Sequence, residues 1–455
     1  MEGFNLDNLK SKSTTLAIGF MLFALFFGAG NLIFPVLLGQ MSGENIWEAT
    51  IGFIVTGVGL PLLGVLAIGY SGKSDLYSMA KRVHPAFAIV FTTVLYLAIG
   101  PLFAMPRTGT VSYEIGIKPL IGDMNNTLAM AIFTIIFFAI TCFFALRPGK
   151  IIDVVGKMLT PILLIFIAFL ILAAVLNPLG NMPAPAEQYT DYAFFTGFKE
   201  GYLTMDTLAS FVFGIIIINA VRSTGVHTKR EVMKSVTKSA FIAAGLLAVI
   251  YAGLAYLGAT SVEKIGTFDN GGAILAAVAH QYFGSYGGLI LGLVVLAACL
   301  TTSIGLVTAC AAYFNTLMPR FGYKTYAVAL SIFSALVANV GLAKLVAISV
   351  PVLSAIYPLA ICLIFLTFLH NKFKGLTEVY IWSLALTFIV SLFDGLNAAG
   401  LQIEAINKVF AHLPLYSVGL GWVVPAIIGA FAGYVIGVLK QTDSVMTEVP
   451  DMQKD

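Results

Sequence analysis

Apolar stretches long enough to cross a lipid bilayer recur along almost the whole chain. They fall at 14–38, 46–70, 85–106, 126–146, 151–176, 195–221, 235–259, 286–317, 322–341, 345–369, 378–396 and 417–439. A helix rises about 1.5 Å per residue and a bilayer core is roughly 30 Å thick, so about twelve transmembrane helices are predicted. Two outer loops carry local structure. Asn177 to Asp191 is rich in proline and polar residues. Ile265 to Tyr286 holds Asp269-Asn270-Gly271-Gly272 and then an apolar run, Ala273 to Ala279, which predicts a short re-entrant or surface helix. From 441 to 455 the chain turns polar and predicts a disordered cytoplasmic tail.

The first apolar stretch is interrupted in its middle by Gly28-Ala29-Gly30-Asn31, followed by Pro35. Helix-weakening residues at that depth are tolerated only inside protein or beside a water-filled cavity. Secondary transporters build substrate and ion sites from such discontinuous helices. The sixth stretch mirrors the first, because Thr204 to Gly214 sets polar residues and a glycine within apolar sequence. Two interrupted helices five apart fit two inverted five-helix repeats, about 14–176 and 195–369, with extra helices at about 378–439. Gly214 also admits a plain packing role, since glycine is common in membrane helices.

Charge sets the orientation. With a cytoplasmic N-terminus, 19 of the 25 Lys and Arg residues fall inside, and only Arg107, Lys118, Lys199, Lys264, Lys344 and Lys408 fall outside. Cytoplasmic segments carry the excess of Lys and Arg, so both termini are expected inside. The chain is 59% hydrophobic and 10% charged, with a net charge of +3. Soluble domains carry about 25% charged residues, so most of this chain belongs in lipid. The charge is too small and dispersed for nucleic acid. Cys142, Cys299, Cys310 and Cys362 all lie in apolar stretches and read as small buried hydrophobes. The first stretch is too long for the apolar core of a signal peptide, about 7–15 residues, and reads as a retained span.

Several chemistries drop out on spacing. A dinucleotide loop at Gly28 fails because position 33 is Ile33, and a phosphate loop ending at Gly72-Lys73-Ser74 fails because position 67 is Ala67. No histidine cluster or nucleophile-base set suggests an enzyme. Energy should come from an ion gradient. Unwinding at 28–31 frees amides that attract a carboxylate and carbonyls that suit a cation, so a zwitterion fits the gap. Asn31 can offer its side-chain carbonyl to a cation, cap the second half-helix, or do both. Thr301-Thr302-Ser303 puts three hydroxyls in an apolar helix; each can bond back to the helix, and together they suit a hard monovalent cation. Arg107, Glu114 and Asp206 read either as gating groups or as solvated interface charges. Phe211, Val212 and Phe213 are candidates for the apolar end of a pocket.

Phe26 to Pro35, Ala104 to Thr108 and Cys299 to Leu306 resemble the branched-chain amino acid:cation symporters, the bacterial system II carriers, and the similarity covers nearly the whole chain. The resemblance implies uptake of leucine, isoleucine and valine with Na⁺, sometimes H⁺, across a bacterial inner membrane. More distantly the chain resembles the superfamily with the leucine-transporter-type inverted-repeat fold. That likeness puts the substrate carboxylate at Ala29 and Gly30. It puts Na⁺ at the carbonyls of Ala24, Phe27 and Cys299 and the hydroxyls of Thr302 and Ser303. A second ion would use Asn31, Ser210 and a helix 7 Asn, but helix 7 has none. The expectation is therefore an all-α membrane protein and cation-coupled symporter. Proton-coupled uptake or exchange in the same fold, a passive channel and a membrane enzyme remain the alternatives.

Overall fold

The computed structural model describes residues 6–73, 75–121, 126–147, 151–226 and 228–447, and among them all regular structure is helical. In chain order the helices are α1 (Leu6–Phe26), α2 (Ala29–Ser42), α3 (Ile46–Ile54), α4 (Leu60–Ser71), α5 (Leu76–Ala80), α6 (Pro85–Leu97), α7 (Ala104–Ser112), α8 (Lys118–Ile121), α9 (Asn126–Ala145) and α10 (Ile151–Leu176). They continue with α11 (Ala193–Glu200), α12 (Asp206–Ser223), α13 (Lys229–Ile265), α14 (Gly271–Leu317), α15 (Gly322–Ala338), α16 (Leu342–Leu369), α17 (Thr377–Ala398), α18 (Glu404–Phe410) and α19 (Val423–Thr447). Ten helical stretches among the described residues are long and apolar enough to span a membrane, and Thr14–Phe26 and Pro161–Leu176 are shorter apolar helices.

Several boundaries differ from the sequence expectation. The third stretch does not end at 106; α6, α7 and α8 run on to Ile121 through wide helical turns at Ala98–Leu102 and Tyr113–Ile117. Pro101 lies in the first of these turns, where Gly100 leaves helical geometry, so the proline is absorbed in a local kink. The short helix expected at Ala273 to Ala279 is the first part of α14, which bends at Gly284, whose φ of 63° favours glycine. It does not lie free on a surface, because a Cβ at Gly271 would come within 1.9 Å of the Ile33 carbonyl oxygen on α2. The polar tail expected from 441 continues α19 as far as Thr447, and its remainder lies outside the described residues.

The chain forms two compact units, Met1–Gly69 with Val94–Ser349, and Tyr70–Thr93 with Val350–Asp455. In the first, α2 and α1 pack on α13, α3 packs on α11, and α14 packs on α7, α9, α10 and α15. Lipid gives no hydrophobic drive between helices, so close backbone approach at small residues holds such pairs together. A Cβ at Gly39 would stand 1.9 Å from the Ala255 carbonyl oxygen, and one at Gly258 would stand 2.0 Å from that of Val36. The α3–α11 pair repeats the device at Gly52 and Gly197. In the second unit α17 packs on α19, where Gly429 and Gly433 abut the backbone of Trp382 and Glu378.

Candidate functional site

The first unit holds both interrupted helices, and the two interruptions meet. Helix α1 ends at Phe26, Phe27 and Gly28 are non-helical, and α2 begins at Ala29. The break is narrower than the expected 28–31, because Gly30 and Asn31 already lie in the first turn of α2. Asn31 Oδ1 accepts from the Gly28 amide at 3.0 Å, so Asn31 does cap the half-helix. Among the described residues no side chain caps the amides of Ala29 and Gly30. In the sixth span, α11 ends at Glu200, a tight turn covers Gly201–Thr204, and Met205 adopts φ 62°, ψ 10° before α12 starts at Asp206. Left-handed backbone is uncommon outside glycine, and such outliers cluster where a site dictates the geometry. The sixth span therefore breaks at Met205 and not at Gly214, which is mid-helix and packs against Ile68.

Orphaned backbone groups at the second break have identified partners, as low dielectric demands. Arg107 Nη1 donates to the Leu203 carbonyl at 2.5 Å, and Thr56 Oγ1 donates to the Phe198 carbonyl at 2.7 Å. Thr56 sits in a wide turn at Val55–Gly59 between α3 and α4, and its own carbonyl accepts from Thr207 at 3.3 Å.

A buried polar network ties the two breaks together. Asn31 Nδ2 donates to Asp206 Oδ2 at 2.5 Å and also to the Tyr251 hydroxyl, which itself donates to Asp206 Oδ2 at 3.1 Å. Asn31, Asp206 and Tyr251 are 2%, 3% and 0% exposed, and Arg107 is 2% exposed. The interface reading of Arg107 and Asp206 therefore gives way: both are deep, because the third span continues past Pro106 and because Asp206 opens α12 inside the molecule. Glu114 stays apart, paired with Lys118 at 2.8 Å.

Between the breaks lies a cavity of about 50 Å³. A water needs about 10–15 Å³ by this kind of measure, so there is room for several. Its wall includes polar groups at Gly28, Ala29, Gly30, Asn31, Arg107, Asp206 and Thr302, and apolar side chains of Leu25, Phe26, Ile99, Phe213 and Leu306. Phe26 and Phe213 meet edge to face at 5.7 Å. Of the other predicted pocket residues, Ser210 bonds back to the Thr207 carbonyl at 2.6 Å, and Phe211, Val212 and Gly214 are buried in packing away from the wall.

Of the predicted cation ligands on α14, Thr302 lies beside the first break. The Thr302 side chain faces Gly28, with Oγ1 3.4 Å from where a Gly28 Cβ would stand. Its proton goes to the Ala298 carbonyl at 3.1 Å, which leaves the oxygen lone pairs for an acceptor role. Ser303 Oγ is fully buried with no hydrogen-bond partner among the described residues. Cys299 is fully buried, and Phe27 stacks on Phe23 at 4.8 Å. Ala24 is half-buried. Tyr251, Thr56 and Phe34 were not anticipated; a tyrosine within the apolar sequence of α13 carries no signal that separates it from packing.

Residues 11–440 match the family model described as "Branched-chain amino acid transport protein". The chain is 56% identical to the branched-chain amino acid permease BrnQ of Bacillus subtilis over 435 residues, covering 95% of this chain and 99% of that one. It is 51% identical to the permease BraB of the same organism over 436 residues, covering 95% and 98%. Its fold matches that of Mhp1, a nucleobase-cation-symport-1 family transporter, with a TM-score of 0.62 at 13% identity, over 94% of this chain and 93% of the other. The fold is the leucine-transporter type expected from the sequence, and the chain belongs to the branched-chain amino acid transport protein family.

Proposed function

We propose that the chain is a secondary symporter that imports leucine, isoleucine and valine by alternating access, with Na⁺ as the coupling ion. One observation carries this reading: two broken helices meet at one cavity lined by both polar and apolar residues. The names of the relatives support the substrate class. The substrate carboxylate lies at the amides of Ala29 and Gly30, where the N-terminus of α2 favours negative charge. The branched side chain points to Phe26, Phe213 and Leu306. Discrimination among the three substrates is modest, since one methylene is worth about 1–3 kcal/mol.

Na⁺ enters as co-substrate. The unpartnered Ser303 hydroxyl and the acceptor lone pairs of Thr302 beside Gly28 suit a hard cation, with the carbonyls of Ala24, Phe27 and Cys299 completing the set. The protein resides in a bacterial inner membrane with both termini cytoplasmic, on the Lys and Arg asymmetry. Proton coupling is the second reading, favoured by the buried carboxylate of Asp206.

The test is leucine uptake by proteoliposomes holding the full chain under separately imposed Na⁺ and H⁺ gradients. Accumulation above equilibrium driven by inward Na⁺ is expected. Accumulation on the H⁺ gradient alone would select the second reading, and equilibration without accumulation would indicate a passive channel.

A further inference from the structure

Two buried side chains of opposite charge share the cavity wall, and consecutive residues of α2 touch them. A Cβ at Gly30 would lie 3.2 Å from Arg107 Nη1. Asn31, the next residue, hydrogen-bonds Asp206. Neighbouring Cα atoms are about 3.8 Å apart, so the two charges address adjacent positions on one turn of helix. Both groups also line the one cavity, so a small zwitterion held there meets each of them. Each charge is also fixed in place. Arg107 bonds the Leu203 carbonyl and lies 4.8 Å from the Phe34 ring centroid. Asp206 is gripped through Oδ2 by Asn31 and Tyr251.

We propose that Asp206 receives the substrate's ammonium group while Arg107 faces its carboxylate, so that the pocket recognises a zwitterion by two side-chain charges as well as by the helix break. The proposal rests on the amino-acid reading above and deepens it. Burying a charge is costly unless it is paired and hydrogen-bonded. A ligand with only one of the two charges would leave one buried wall group facing an apolar or uncharged atom. The pocket therefore refuses both the acid and the amine that share leucine's side chain, as well as leucine analogues with the two groups moved apart.

The experiment measures ligand-dependent thermal stabilisation of the purified full-length protein, which reports affinity for the native state. The probes are leucine, 4-methylpentanoate, which lacks the ammonium, and 3-methylbutan-1-amine, which lacks the carboxylate. The unsubstituted protein should respond to leucine far more strongly than to either analogue. In Asp206→Asn, leucine affinity should fall by about 10-fold or more, the scale of a lost charged hydrogen bond. Affinity for 4-methylpentanoate should hold or rise, so the preference for leucine over the acid collapses. Arg107→Gln should give the mirror result, with the preference for leucine over the amine collapsing; it decides the matter if Asp206→Asn does not fold.

An equal loss of affinity for all ligands in the charge variants would make Asp206 and Arg107 structural and overturn the proposal. Unchanged leucine affinity in Asp206→Asn, with accumulation lost in vesicles, would make Asp206 a proton carrier and also overturn it. An unsubstituted protein that leucine does not stabilise would overturn the amino-acid reading itself.

Discussion

At the scale of single residues, the glycines at the first break act through space more than through backbone freedom. Gly30 has ordinary helical geometry, yet a Cβ there would meet Arg107 Nη1 and Phe34 at 3.2 Å. Gly30→Ala should therefore insert and fold with a reduced leucine affinity, while Gly30→Leu should fill the cavity and abolish uptake. Uptake normalised to inserted protein checks both, and normal transport by Gly30→Leu would place the substrate elsewhere. Asn31→Ala should be worse than a cap deletion alone. It removes the Gly28 cap, worth about 0.5–2 kcal/mol, and strips a donor from the buried Asp206, a loss of about 1–3 kcal/mol. A thermal melt comparing Asn31→Ala with Tyr251→Phe checks the ordering. Gly28, Gly30 and Asn31 were legible in the sequence because breakers inside an apolar run have few innocent explanations. The depths of Arg107 and Asp206 were not. The third apolar stretch stops at 106, just short of Arg107, and a carboxylate near the start of a span looks the same whether it opens a surface helix or a buried half-helix.

At the scale of elements, the half-helices keep their places through glycine contacts. The α2–α13 seam brings the Gly39 and Gly258 positions against opposing carbonyl oxygens at 1.9 and 2.0 Å from a hypothetical Cβ. Gly258→Ala should force the helices apart, at about 1–3 kcal/mol for overpacking. Because α2 carries Asn31 and α13 carries Tyr251, the same shift should loosen the hydrogen bond between them. The expected outcome is a lower melting temperature together with weaker leucine binding; an unchanged melt would show that the seam yields freely. Hydropathy alone located most of the spans. It could not mark that two of them break within a few residues of each other in space, nor that the break in the sixth span falls at Met205. Methionine has no preference for left-handed backbone, and the polar residues between Thr204 and Ser210 give no sharper position.

At the scale of the whole molecule, ion and substrate are linked if both stabilise the same closed arrangement of the two breaks. Thr302 faces the break between α1 and α2 from α14, with the buried Ser303 hydroxyl next to it in sequence, so a cation held there would fasten a helix outside the break to the break itself. Affinities for two linked ligands change by the same factor in each direction. Ser303→Ala removes a buried hydroxyl that has no hydrogen-bond partner among the described residues. Such a hydroxyl burdens the ion-free protein by about 1–3 kcal/mol, so the substitution should leave the melting temperature in Na⁺-free buffer unchanged or raised. Leucine uptake should nevertheless need more Na⁺, and high Na⁺ should restore part of it. Thr302→Ala should raise the Na⁺ requirement in the same way, while also removing the bond to the Ala298 carbonyl. The measurement is leucine uptake against Na⁺ concentration for both variants, normalised to inserted protein, beside melts with and without Na⁺. A packing role predicts the reverse pattern: a lower melt without Na⁺ and an unshifted Na⁺ curve. If both curves overlay that of the unsubstituted protein, the hydroxyls of α14 serve only the helix, and the coupling ion binds elsewhere.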